Sequence, residues 1–179
     1  MTERFVEHAK ANMGTIERLL KGLPGISGYV DKELRRDADK RLRDAIAGQL
    51  TEQKQALFAV QKQLLSSGGL RWLDDVDQVI QKVQTLADRI RTASYGYAGF
   101  FDAVKIREEQ LAALHQFDVD LTTRVATIPE LITSLRSAKP DNEAFQPALQ
   151  ALAQAVTEID TLFNHRREAI LSPELLTPP

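Results

Sequence analysis

An all-α fold is what this sequence predicts, and three observations carry the prediction. Apolar residues recur in alternating steps of three and four through most of the chain. No segment alternates apolar and polar residues as a half-buried strand would. The strong turn signals are few and widely spaced: Pro24-Gly25, Gly68-Gly69 and the run Ala138-Lys139-Pro140-Asp141-Asn142. The expected architecture is an elongated, mainly antiparallel bundle of four long helices, with a shorter N-terminal helix alongside and coiled-coil-like packing. Residues 1–172 are expected to form one domain and 173–179 a short tail.

The N-terminal helix is expected over about 2–21, with the stripe Val6, Ala9, Met13, Ile16, Leu20 and Leu23. Gly22 ends it and Pro24-Gly25 prevents its continuing. Gly14 weakens its interior by roughly 1 kcal/mol relative to alanine. The following link is too apolar for a solvated tether, so Ile26 and Tyr29 are expected to dock on the bundle end. A second helix spans about 30–65, on the order of 50 Å at ~1.5 Å per residue. Its expected buried line is Leu34, Ala38, Leu42, Ala45, Ile46, Leu50, Leu57, Val60 and Leu64. Gly68-Gly69 then reverses the chain and sets the next helix antiparallel.

The third helix organises the rest. Leu73, Val76, Ile80, Val83, Ala87, Ile90, Ser94 and Tyr97 form its seam, and Trp72, Val79, Leu86 and Ala93 widen it into a stripe suited to more than one neighbour. Asp74, Asp75 and Asp77 suit the positive end of its dipole. A break or kink is expected between Tyr95 and Asp102, where Gly96 and Gly99 interrupt the pattern. The fourth helix covers about 103–138 through Leu111, Leu114, Leu121, Val125, Ile128, Ile132 and Leu135. Pro129 costs it one backbone donor, and Thr127-Ile128-Pro129-Glu130 reads as a capping box; the unbroken apolar register favours a kink over a restart. The fifth helix runs from about Pro147 to Leu171 on Leu149, Leu152, Val156, Ile159, Phe163 and Ile170, and Ser172-Pro173 stops it.

Composition narrows the function classes. The 179 residues are 43% hydrophobic and 27% charged, enough for one domain with a real core and unlike a disordered chain. With 23 Lys+Arg against 25 Asp+Glu, the net charge of -2 lacks the basic excess of a nucleic-acid binder. The absence of cysteine excludes disulfides, thiolate metal sites and cysteine nucleophiles. The N-terminus has no apolar run of the secretory kind, and no stretch approaches the ~20 apolar residues of a membrane span. A soluble, cytoplasmic protein is expected.

Metal and catalytic chemistry find little support. Helical bundles often hold metals through Glu-x-x-His pairs, yet Phe5, Ala112 and Leu162 stand three before His8, His115 and His165. Glu7 and His8 are adjacent and cannot share a face, while His115 with Asp118 is half a site at best. Nucleophile elbows and phosphate loops are missing. No metal, no cofactor and no enzymatic activity are therefore expected. Asp118 falls on the apolar seam, but Phe117 is expected inward and Asp118 at the rim.

Two stretches are candidates for binding. In Asp31–Asp44, acids precede arginines by four at Asp31/Arg35, Asp37/Arg41 and Asp39/Arg43, which suits a wet helix at ~0.2–0.5 kcal/mol per pair. The sharper reading makes Arg35, Arg36, Lys40 and Arg43 a face for an anionic partner, blunted by the interleaved carboxylates. The second stretch gathers Tyr95, Tyr97, Phe100 and Phe101 beside two glycines in a chain only 6% aromatic. One reading is a tightly packed bundle end. Another is a partner-binding surface rimmed by Arg89 and Arg91. The expected function is a protein-protein interaction or scaffold bundle that binds a protein partner or itself as a homo-oligomer. The alternatives are a small apolar ligand held between helices and peripheral contact with an anionic membrane or nucleic acid.

Overall fold

The structure, a computed structural model, describes residues 32–93, 108–140 and 143–171; for 32–39, 108–115 and 166–171 it describes the backbone alone. Every regular element among them is helical: α1 (Lys32–Ser66), a single 3-10 turn (Leu70–Trp72), α2 (Leu73–Thr92), α3 (Glu108–Ser137) and α4 (Phe145–Leu171). The helices stand within a few residues of the spans that periodicity predicts. The N-terminal helix, the Ile26–Tyr29 link, the aromatic stretch, the 102–103 boundary and the tail lie outside the described residues.

Antiparallel pairing within two hairpins follows from the side chains that cross between helices. Along α1 and α2, Arg43 reaches the backbone of Arg91, Lys54 reaches Gln84 and Gln61 reaches Asp77, so one number rises as the other falls. Arg124 on α3 meets Glu158 on α4 at 2.8 Å. The two hairpins then pack side by side, α1 against α3 and α2 against α4. Here the direction is parallel: Gln63 donates to the Arg136 carbonyl near the ends of both helices, and Arg89 bonds Asp160 and Asn164 late in α2 and α4. The two antiparallel hairpins carry the more extensive contacts, and the two pairings between hairpins run the same way. Periodicity sets which face is buried and is blind to which helix stands beside which.

One apolar core runs between the four helices. α1 supplies Leu42, Ile46, Ala47, Leu50, Leu57, Val60 and Leu64; α2 supplies Val76, Val79, Ile80, Val83, Leu86, Ala87 and Ile90. α3 adds Leu121, Val125, Ile128, Ile132 and Leu135, and α4 adds Phe145, Leu149, Leu152, Val156, Ile159 and Phe163. Each large side chain buried in this way stabilises the fold by ~1.5–3 kcal/mol relative to exposure. The α1 seam admits two polar members, Arg43 and Gln53; Gln53 takes the step between Leu50 and Leu57 and is buried there. α3 passes Pro129 without a restart, so Thr127 is no cap; its hydroxyl donates to the Arg124 carbonyl at 2.8 Å, inside a continuous helix.

The two tight turns meet at one end of the bundle. α1 closes with the Gly69 amide donating back to the Leu64 carbonyl at 2.9 Å, and Gly68 takes a left-handed φ of 78°. Pro140, from the turn between α3 and α4, is buried against this glycine pair, and its carbonyl accepts from both Trp72 Nε1 and Arg71 Nη2 at 2.9 Å. Trp72 packs on Phe145 with ring centroids 5.3 Å apart, while the Arg71 guanidinium lies 5.0 Å from the Trp72 ring centre. A Cβ at position 69 would stand 2.5 Å from Leu64 Cδ2 and 2.8 Å from Pro140 Cβ. Gly69→Ala should thus cost ~1–3 kcal/mol in urea unfolding. An unchanged midpoint would show that the turns do not press together as described.

Candidate functional site

The helix that carries the basic candidates also sets their directions. Heptad spacing places Arg43 in line with Leu50, Leu57 and Leu64, and its side chain follows that register inward, to 5% exposure. Its Nη1 donates to the carbonyls of Ile90 at 3.3 Å and Arg91 at 3.2 Å. This corrects the expectation that Arg43 belongs to a face for an anionic partner. Lys40 is exposed, whereas the side chains of Arg35 and Arg36 lie outside the described residues.

The arginines assigned to a rim around the aromatic stretch are both engaged. Arg89 is half-buried and forms an ion pair with Asp160 and a hydrogen bond with Asn164, tying α2 to α4. Both members of that pair keep about a third of their surface in water, so its contribution stays in the range of ~0–1 kcal/mol. Arg91 is exposed; it pairs with Asp88 at 3.4 Å and donates to Thr51 Oγ1 at 3.2 Å across to α1. Tyr95, Tyr97, Phe100 and Phe101 lie outside the described residues.

Asp118 is another correction. It is 4% exposed, not at the rim, and Phe117 is the half-buried one. The leucines and isoleucines of α3 fix a register in which position 118 must face the core, three residues before Leu121. Thr122 is buried beside it and satisfies its hydroxyl on the Asp118 carbonyl at 2.7 Å.

Sequence reasoning passed over the outer side of α1. Phe58 is 42% exposed and Leu65 is 61% exposed; they lie one heptad apart and hence on one line of the helix surface. Leu70, also 61% exposed, follows in the 3-10 turn. The signal was legible: Leu57-Phe58 and Leu64-Leu65 are apolar doublets, and a helix can turn only one member of each toward a given neighbour. A separate hollow of about 630 Å³ opens over the outer face of α4, lined by Lys82, Arg124, Thr157, Glu158, Thr161 and His165 among others. Ala153, Gln154 and Leu162 complete its lining, which mixes apolar surface with charged and hydroxyl groups.

Among the described residues, no three His, Asp or Glu side chains gather as they would around a metal ion. No described helix is long and apolar enough to cross a membrane. No protein family, curated protein or solved structure matches the chain.

Proposed function

We propose that this protein is a non-catalytic interaction bundle, a cytoplasmic scaffold or adaptor that engages protein partners, a second copy of itself included. The observation that supports this most directly is the second apolar line on α1. Leu57 and Leu64 fill the core, while Phe58 and Leu65, one residue later, stand at the surface with Leu70 beyond them. Covering a large apolar side chain is worth ~1.5–3 kcal/mol, so a partner helix laid along this line gains most of its affinity from two or three residues. In this reading the helices pack in coiled-coil fashion, the N-terminal segment 2–21 lies alongside as a shorter helix, and the aromatic stretch 95–101 extends the contact surface.

Light scattering coupled to size exclusion tests the self-association part. The wild-type mass should rise above the 20.0 kDa monomer with concentration, and Phe58→Ser with Leu65→Ser should return it to monomer with unchanged helical circular dichroism. A wild type that is monomeric into the high micromolar range removes self-association from the proposal. Association that survives both substitutions moves the contact away from α1. Phe100→Ser with Phe101→Ser should likewise weaken binding at constant helicity; loss of helicity would make those rings core.

A further inference from the structure

The outer face of α1 is balanced about Phe58. Thr51 stands seven residues before it and Leu65 seven after, so the three share one line of the helix surface. Lys54 and Gln61, which reach α2, lie to one side of that line. To the other side, six residues before Phe58 and four after, lie Glu52 and Lys62, both exposed. Ten residues separate these two charges, ~15 Å along the helix, too far for them to pair with each other. Among the described residues neither side chain has a hydrogen bond or an ion pair.

Such a face is complementary to itself. A second copy, turned end over end about an axis beside Leu57 and Phe58, brings the two Phe58 rings together at the centre. Each Leu65 then covers Thr51 of the second copy, and each Glu52 comes within reach of the other chain's Lys62. One contact thus occurs twice, as a two-fold axis requires. A parallel pairing sets Glu52 against Glu52 and Lys62 against Lys62, and like charges repel it. We propose that two copies of this chain associate through α1, antiparallel and about a two-fold axis beside Phe58. Resting on the self-association already given as part of the function, this pairing adds a direction to it. Phe58 and Leu65 supply the apolar contact, and the Glu52–Lys62 pairs fix which way the copies run.

Light scattering on full-length variants tests the pairing. Glu52→Lys and Lys62→Glu each turn both ion pairs into repulsions and should weaken homodimerisation about tenfold or more at low salt. Mixed one to one, the two variants should associate as the wild type does, because every contact between them again joins opposite charges. Both positions face water, so helicity and the unfolding midpoint should stay where they were. Single reversals that leave the affinity unchanged overturn the proposal. Direction is read by oxidative cross-linking, since the chain has no cysteine of its own. Gly48, which has open space around it, and the exposed Ser66 lie on opposite sides of the axis and on the order of 25 Å from their own copies. Gly48→Cys mixed with Ser66→Cys should cross-link, and neither should cross-link with itself. Self-linking of either, or none in the mixture, overturns the antiparallel geometry and leaves self-association standing. A wild type that stays monomeric into the high micromolar range removes self-association, and this pairing with it.

Discussion

Replacing Phe145 with alanine should lower the unfolding free energy by about 3–5 kcal/mol, the range for truncating a buried aromatic ring. Phe145 is among the largest fully buried side chains, and it stands at the first residue of α4, where α4 meets the α1/α2 turn. Its ring packs on Trp72, whose indole nitrogen donates to the Pro140 carbonyl. Truncation opens a void and also loosens the clasp between the two turns. A double-mutant cycle with Trp72→Leu in urea should show a coupling of ~0.5–1.5 kcal/mol for the ring pair. A loss below about 1 kcal/mol for Phe145→Ala would mean that the ring is not buried as described.

The second large effect is a contrast between neighbours. Leu57→Ala should destabilise by about 2–5 kcal/mol, as buried leucine truncations do. Phe58→Ala, one residue on, should change stability by no more than ~0.5 kcal/mol, because its ring already faces water. Chemical unfolding of the two variants side by side reads the rotation of α1 directly. Equal losses would rotate the helix and withdraw Phe58 from the surface offered to a partner. The same pair separates fold from function, since only Phe58→Ala should weaken self-association while leaving the midpoint where it was.

The candidate sites were less legible than the helices, for a specific reason. A charged residue inside a three-four apolar pattern reads locally as part of a wet face. Local pattern groups Arg43 with its charged neighbours and puts Asp118 at the rim, yet both lie on the seam and both are buried. The register of a long helix is decided by the sum of its apolar residues, and one polar side chain cannot rotate it. Phe58 and Leu65 are hard to pick out for the opposite reason, since an apolar residue reads as core until the second member of its doublet proves to have no room there. Arg89 reads locally as part of a partner-binding rim because Asp160 and Asn164, its partners, are more than 70 residues away.

By itself the sequence determined that the chain is helical, where the described helices run to within a few residues, and which face of each is apolar. Those properties depend on neighbours three and four positions away, which a linear string records in full. Only the tertiary structure decided that the two hairpins pack with like direction, that the Gly68-Gly69 turn closes on Pro140, and that a side chain from α1 occupies the last carbonyls of α2. Each of these joins residues some 50 to 75 positions apart. Their pairing is set by packing and hydrogen bonding between whole helices, which no local spacing encodes.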